Sequence, residues 1–230
     1  MILKNTKNLR FFFPILFLSL ALNAQQVYVE SGFGTAFFKD YVNNLGENTL
    51  DLSYSKSPEL FLESGFRFDL YRERIMWDVG LSYNKYQINT GFFAGNVTIP
   101  TTYNLTYLTL KVGVLINVVN EPRFKIQIHS HLSYDGLISG TNKYRNEIIN
   151  VYKENNFDKK LLRFHRGLST EYTISEETAI YIKYNIADSF KEKGKDSSAG
   201  ETYSLHTNSF SMGLLFDISG LINRLHNRYF

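Results

Sequence analysis

The residues best suited to chemistry lie in one short stretch, KIQIHSHLSYD, which runs from Lys125 to Asp135. It holds two histidines, two serines and an aspartate between His129 and Asp135. A His-x-His pair can bind zinc, although a structural zinc site needs four ligands and a catalytic site three plus water. The pair His131 and Ser133 could instead serve a hydrolase, if the histidine reaches the serine hydroxyl and an acid orients it.

The element that must position these residues is a β-strand, because apolar and polar residues alternate along the stretch with a period of two. Alternate residues of a strand share one face, about 6.6 Å apart. One row is therefore polar: His129, His131, Ser133 and Asp135. The opposite row is apolar apart from Ser130: Ile126, Ile128, Leu132 and Tyr134.

Seven further segments show the same alternation, which gives eight predicted strands in all. They span 26–38, 59–70, 75–84, 103–117, 124–138, 162–173, 179–190 and 206–218. The connections between them are alternately long and short, which is typical of outer-membrane barrels with long extracellular loops and tight periplasmic turns. The sequence therefore predicts an all-β fold, an eight-stranded antiparallel up-and-down transmembrane β-barrel. A water-soluble sandwich is the alternative, but its Greek-key connections would not alternate in this way.

The beginning of the chain has the three parts of an export signal. Lys4, Lys7 and Arg10 precede the apolar run FFFPILFLSLAL, and Ala24 provides a small residue before the cut. The run is too short to span a bilayer as a helix, which takes about 20 residues. We expect a cleaved signal peptide at 1–24, a barrel at 25–218 and a short periplasmic or interfacial tail at 219–230.

The charge balance argues against nucleic acid as a partner. The chain has 25 Lys and Arg against 22 Asp and Glu, and the predicted signal contributes three of the basic residues and none of the acidic ones. The exported chain is therefore neutral, which removes the main support for binding to nucleic acid. The chain has no cysteine, which excludes a disulfide scaffold.

Several segments carry a family resemblance: the signal end Asn23-Ala24-Gln25, the strand patterns SGFGTAFF and SGFRFDL, and the last strand SFSMGLLF with Phe216. Over residues 25–218 the chain resembles the small outer-membrane β-barrels of Gram-negative bacteria, a porin-like family with OmpA-like and PorT-like members. The resemblance implies an outer-membrane location and insertion by the barrel-assembly machinery, which reads the final strand. The tail SGLINRLHNRYF beyond Ile218 departs from the family pattern.

An eight-stranded barrel has an interior that side chains can fill. The predicted inward row is a charge network made of Glu30, Glu63, Arg67, Asp69, Asp78, Lys111, Lys125, His129, His131, Asp135, Arg163, His165, Glu171, Lys183 and Asp217. Rough registers place Lys111 beside His131, Glu171 beside His129, and His165 near Asp135. Buried charges must be paired, so we expect a plugged lumen without a continuous pore. Arg166 falls on the lipid-facing row, where it either reaches up to lipid phosphates or is turned inward by a bulge.

The function expected from these patterns is non-enzymatic. We expect a structural or interaction role through extracellular loops, with an accessory role in envelope assembly or secretion as one form of it. The expected partners are outer-membrane lipid and lipopolysaccharide, and an envelope protein that contacts loops 39–58 and 141–160. The alternatives are a lipid A-modifying acyl hydrolase, which resembles the deacylase barrels in its His131-Leu132-Ser133 motif, and a narrow channel for small solutes. No metal or cofactor is expected, since a lysine beside the histidines opposes a metal ion.

Overall fold

The structure, a computed structural model, describes residues 25–42, 50–51, 57–94, 97–144, 147–153, 159–190 and 202–218. The predicted signal peptide and the tail 219–230 lie outside these residues. The strands are β1 (Gln26–Val42), β2 (Leu50–Asp51), β3 (Ser57–Tyr71), β4 (Ile75–Ala94), β5 (Val97–Asn120), β6 (Phe124–Tyr144), β7 (Glu147–Asn150), β8 (Lys160–Ser175), β9 (Thr178–Ser189) and β10 (Thr202–Asp217). Within the described ranges, no helix is long and apolar enough to cross a membrane.

Eight of the strands close into a ring. Every long strand pairs antiparallel with its neighbours in the order β4-β3-β1-β10-β9-β8-β6-β5, and β5 pairs back with β4. The short strands β2 and β7 lie outside the ring and pair with β4 and β6. The predicted eight-stranded antiparallel barrel is therefore confirmed.

The stagger of the ring fixes the width of the interior. Direct partners followed from strand to strand, starting at Gln26, lead back to β1 at Ala36, ten residues further along the strand. With standard strand spacings, this stagger over eight strands corresponds to a tilt of about 40°. A barrel of this size has room for side chains but not for a wide channel.

The two ends of the barrel differ in their connections. At one end, the turn end, the strands are joined by residues 72–74, 121–123 and 176–177. At the other, the loop end, the strands extend further than the sequence predicts. The segment 85–102, predicted as a loop, is mostly paired strand, since β4 runs to Ala94 and β5 starts at Val97. Its residues still alternate, but with the opposite polarity to the middle of the barrel, so the pattern of lipid-facing strands did not reveal it.

The wall of the barrel has an apolar outer belt around its middle. The belt consists of exposed large side chains on all eight strands: Val29, Phe33, Leu60, Leu62, Leu81, Tyr83, Leu108, Leu110, Val112, Val114, Ile116, Ile128, Leu132, Tyr134, Leu168, Tyr172, Ile182, Tyr184, Phe210, Met212, Leu214 and Phe216. The side chains that alternate with them face the interior and are largely polar or charged. An apolar exterior around a polar interior is the polarity of a barrel that crosses a membrane.

Above the belt, toward the loop end, this polarity reverses. On β4 and β5 the exposed side chains next to the belt are Lys85, Gln87 and Asn104, and Pro100 and Val97 are exposed nearer the end of the hairpin. The interior here is an apolar cluster of buried residues: Ala36, Phe38, Tyr86, Ile88, Tyr103, Leu105, Tyr107, Leu137, Val151, Leu161, Tyr203 and Leu205. This is the arrangement of a barrel in water, in which apolar surface is removed from solvent by turning inward.

The turn between β3 and β4 is tight and strained. Its central residues, Arg72 and Glu73, have φ values of 47° and 56°. The Arg74 amide donates to the Tyr71 carbonyl at 2.8 Å, which closes the turn. Two central residues with positive φ make a type I′ turn, whose twist matches a hairpin but which favours Asn-Gly. The Asp69 carboxylate supports the turn by accepting a hydrogen bond from the Glu73 amide at 2.9 Å.

Glycines on the inner wall make room for large rings on neighbouring strands. Tyr28 lies over Gly65 and Gly80, and a Cβ atom on either glycine would overlap the tyrosine ring or its hydroxyl. Tyr181 lies over Gly213 in the same way. Both tyrosine hydroxyls are thereby held inside the lumen, where they contact the charged groups.

Candidate functional site

The centre of the lumen contains two lysine–glutamate pairs. Lys111 Nζ lies 2.5 Å from Glu63 Oε2, and Lys183 Nζ contacts Glu30 Oε2. Tyrosines also donate to both carboxylates, at 2.8 Å: Tyr28 to Glu63 Oε1, and Tyr181 to Glu30 Oε2, the oxygen that Lys183 contacts. The Ser211 hydroxyl also donates to Glu30, at 2.7 Å. Each buried carboxylate is thus both ion-paired and hydrogen-bonded, as burial of a charge requires.

A second group of charges lies nearer the turn end and centres on Glu171. Arg67 Nη1 lies 3.1 Å from Glu171 Oε2, which also accepts a hydrogen bond from Gln127 at 3.1 Å. Lys125 lies 3.9 Å from the other oxygen of Glu171 and 3.3 Å from Glu73 at the rim. The Glu171 carboxylate therefore links Arg67 and Gln127, inside the lumen, to Lys125 at the mouth of the turn end.

The histidine row of β6 points into this network. His129 is 1% exposed and His131 is 2% exposed, and their rings lie 5.2 Å apart. His131 Nε2 lies 2.8 Å from Asp78 Oδ1, at ion-pair distance but without the alignment of a hydrogen bond. The predicted cross-strand neighbours were wrong. His131 pairs with Gly113 and His165, and His129 with Gly167, whereas Lys111 faces Ser133 and Glu171 faces Lys125. The β5–β6 register is shifted by two residues and the β6–β8 register by four, and such even shifts preserve the inward face but exchange the neighbours.

Ser133 belongs to a separate hydrogen-bonded cluster. Its hydroxyl donates to Asp135 at 2.8 Å and lies 2.9 Å from His165 Nε2. Asn185 Nδ2 contacts His165 Nδ1 at 3.2 Å. With Asn185 as donor, a neutral His165 carries its proton on Nε2 and donates it to Ser133. Arg163 completes the cluster by binding Asp135 at 3.3 Å and Tyr86 at 2.8 Å.

The structure places the predicted inward residues as follows. Buried in the lumen are Glu30, Glu63, Arg67, Asp78, Lys111, His129, His131, Asp135, Arg163, His165, Glu171 and Lys183. Lys125, Asp69 and Asp217 instead line the mouth at the turn end, because their strands end there. Residues that the sequence analysis missed are Glu59, Tyr28, Tyr181 and Asn185. The period-two pattern already put Glu59 on the face of Glu63, Tyr28 on that of Glu30, and Tyr181 and Asn185 on that of Lys183, but none of the four was included in the predicted network.

Little empty space remains inside the barrel. A central cavity beside Lys111, His165 and Lys183 has a volume of about 20 Å³, little more than one water molecule requires. The apolar cluster covers it on the loop side, where Val151, which follows β7, packs in and donates its amide to Gly140 at 3.0 Å. A wider vestibule of about 320 Å³ opens at the turn end and has the Arg67–Glu171 pair among its lining residues.

Arg166 lies on the outer face of the barrel. It is 53% exposed, and one of its guanidinium nitrogens lies 3.2 Å from Asp188 Oδ2. Its direct partner on β9 is Ile186, so Asp188 lies two residues nearer the loop end. The side chain therefore reaches up from the apolar belt toward its edge. The pairing of β8 has no irregularity at this position, so the alternative of a bulge that turns Arg166 inward is wrong.

The histidine row of β6 and the carboxylates around it give no support for a metal site. Among the residues that the structure describes, no group of three or more histidine and carboxylate side chains is arranged to hold a metal ion. Where His131 and Asp78 meet, the nearby residues Lys111 and Arg67 supply positive charge.

The fold and its interior together define a class of protein: an eight-stranded β-barrel with an apolar outer belt, a filled and self-neutralising lumen, and an apolar cap at its loop end. Comparison with protein-family models gave no match. Comparison with curated protein sequences gave none either.

Solved structures of outer-membrane proteins are similar to the chain at low identity. Neisserial surface protein A is 10% identical, with 83% of this chain and 96% of that chain covered, at a TM-score of 0.46. Ail, the attachment invasion locus protein of Yersinia pestis, is 12% identical, with 84% and 99% covered, at 0.41. The outer membrane protease OmpT of Escherichia coli is 10% identical, with 84% and 97% covered, at 0.44. None of these similarities decides what the present protein does.

Proposed function

We propose that the protein is a non-enzymatic, integral outer-membrane barrel that conducts no solute and acts through its extracellular hairpins. In this proposal it is exported by a cleaved signal peptide and inserted by the barrel-assembly machinery, with its loop end outside the cell. The observation that carries the proposal is the closed lumen. Most of its charged side chains form ion pairs with one another, and a layer of buried apolar side chains lies above them.

The closed lumen argues against a small-solute channel. A permeating ion or solute would have to separate pairs such as Lys111–Glu63, each of which is almost fully buried. It would then have to pass the apolar cluster, which offers few polar groups to replace its water. Both barriers are built almost entirely from side chains of the barrel strands.

The extracellular hairpin of β6 and β7 supports a role in binding a partner. Ile148 is 72% exposed, and Ile149 and Tyr152 are 37% and 48% exposed. These apolar side chains lie beyond the belt, so in the proposed orientation they face water and not lipid. Contiguous apolar patches rimmed by polar residues mark protein interaction sites, and we propose that these three side chains belong to such a patch. The segment coincides with the loop 141–160 named from the sequence, and an envelope protein or lipopolysaccharide is the proposed partner. Most of the other candidate loop, 39–58, lies outside the described residues.

An acyl hydrolase is the second candidate, and the contact between Ser133 and His165 is the observation that favours it. Two features oppose it. Ser133 is 2% exposed inside the lumen, out of reach of a lipid substrate. Its hydroxyl donates to Asp135 rather than to a histidine, so it lacks the histidine base that the sequence motif requires. His131, the partner that the sequence motif suggests, contacts Asp78 instead. We therefore propose that His131 and Ser133 are not catalytic.

Conductance across a planar lipid bilayer tests the proposal. The purified protein, with insertion checked by protease protection and a heat-dependent shift in gel mobility, is expected to give no conductance steps. Steps comparable with those of a general porin would overturn it. The variants His131→Ala and Ser133→Ala are expected to leave the acylation of lipid A in intact cells unchanged. A change in acylation that depends on either residue would support the hydrolase instead.

A further inference from the structure

The outer wall of the barrel has a groove across β3, β4 and β5 at the edge of the apolar belt. Its volume is about 230 Å³, and it is lined by Pro58 and Leu60, by residues 85–87 and by residues 104–106. This volume is below the roughly 300 Å³ at which pockets for compact drug-sized molecules begin. A slender group such as a single hydrocarbon chain is a better match to this space.

The groove exists because the ladder between β3 and β4 stops early. The last direct pair of these strands is Glu59 with Tyr86, although β4 continues to Ala94. Pro58, which precedes Glu59 and lies one residue nearer the loop end, has no amide hydrogen to continue the ladder. The amide of Asn89 instead donates to the Ser57 hydroxyl at 2.7 Å. The groove is therefore fixed by backbone pairing and does not depend on the rotamer of one surface side chain.

The position of the groove coincides with the reversal of polarity on β4 and β5. On the side of the belt, Leu60 is 58% exposed, and Tyr83 and Leu108 continue the apolar surface. On the other side the exposed residues are Lys85, Gln87 and Asn104. In a bilayer this is the level at which acyl chains meet head groups.

The charge at the rim is positive. Lys85 lines the groove, and its Nζ lies 5.7 Å from the centre of the Tyr83 ring, on the exposed face of β4. None of the residues that line the groove carries a carboxylate. An ammonium group beside an apolar slot is complementary to a phosphate attached to an acyl chain.

From these observations we infer that the groove binds one acyl chain of an anionic, phosphate-bearing lipid of the outer leaflet, with Lys85 at the phosphate and Leu60 along the chain. The inference rests on the membrane location in the proposed function and assigns this face of the barrel a specific lipid. Gln87 and Asn104 are placed to donate hydrogen bonds to the head group, because both are exposed at the polar rim. An anionic lipid is therefore retained in preference to a zwitterionic one.

Native mass spectrometry of the purified protein tests this inference, with dimyristoyl phosphatidylglycerol and dimyristoyl phosphatidylcholine as lipid probes and inorganic phosphate as a third. The wild-type barrel is expected to retain one phosphatidylglycerol, with weaker retention of phosphatidylcholine and none of phosphate. Removing one lysine charge, in Lys85→Gln, is expected to weaken retention about five-fold. Gln87→Trp fills the groove and leaves the charge of Lys85 in place. It is expected to weaken the retention of both lipids to the same extent.

Lys143→Gln is the matched control, since it removes an exposed lysine of β6 that is not part of the groove. It is expected to retain lipid as the wild type does. Equal retention of both lipids that neither Lys85→Gln nor Gln87→Trp changes would overturn the inference, as would binding of phosphate alone. Protease protection in vesicles is measured on the same samples. A barrel that inserts but shows no lipid preference refutes the groove alone, whereas a chain that does not insert refutes the proposed membrane location.

Discussion

Breaking one buried ion pair gives the sharpest test of the closed lumen. In Lys111→Met, the Glu63 carboxylate, 3% exposed, loses its ammonium partner at 2.5 Å. Removal of one partner of a buried pair costs about 3–5 kcal/mol. Glu63 keeps the hydrogen bond from Tyr28 at 2.8 Å, so we expect a loss near the lower end, about 3 kcal/mol. The double variant Lys111→Met/Glu63→Gln removes the orphaned charge and is expected to recover most of the loss.

Lys125→Met provides the matched control, because this lysine lies at the mouth and its nearer partner, Glu73, has a side chain that is 66% exposed. Partly exposed pairs contribute about 0–1 kcal/mol, so the two lysine variants should differ by about 2 kcal/mol.

The assay is reversible urea unfolding of the barrel in lipid vesicles, followed by the fluorescence of Trp77, the single tryptophan. The slope of the transition must stay constant for the comparison to hold. Two results would contradict the closed pairs described above. One is that Lys111→Met lowers the free energy of unfolding by no more than Lys125→Met does. The other is that adding Glu63→Gln to Lys111→Met restores no stability.

Two further predictions use the same unfolding assay. The double variant Arg72→Asn/Glu73→Gly places residues that tolerate positive φ in the turn, and it is expected to stabilise the barrel by about 1 kcal/mol. An unchanged midpoint of urea unfolding would contradict the strain in this turn. Gly80→Ala is expected to cost about 1–3 kcal/mol through overlap with the Tyr28 hydroxyl. The cost should shrink in a Tyr28→Phe background, and an equal cost in both backgrounds would refute the close approach.

The reversal of polarity along the wall explains both the successes and the errors of the sequence analysis. Within the apolar belt, the period-two pattern assigned residues such as His131 and Glu171 to the inner face, because neighbouring side chains on a strand must point to opposite sides. Above the belt the strands continue with apolar residues inside, as in a soluble barrel. Segments such as 85–94 therefore read as loop, although Tyr86 and Ile88 are buried in the cap.

Cross-strand neighbours were the part of the site that the sequence analysis placed wrongly. The register of a hairpin depends on its turn and on nearby bulges, and the β5–β6 pairing has an irregularity between Asn117 and Val119, next to the turn at 121–123, that the alternation does not signal. Shifts of two or four residues keep each side chain on its face. They therefore left the predicted inner row intact while replacing Lys111 by Gly113 opposite His131.

What the sequence determined by itself is local: the strand period, the alternation of long and short connections, and the face to which each side chain in the belt points. What only the tertiary structure decided is which of those side chains meet. The ten-residue stagger of the closed ring brings Lys183 to Glu30 and Arg67 to Glu171, pairs that are far apart in the chain. That stagger is accumulated over eight strand pairings, so no single segment of the sequence contains it.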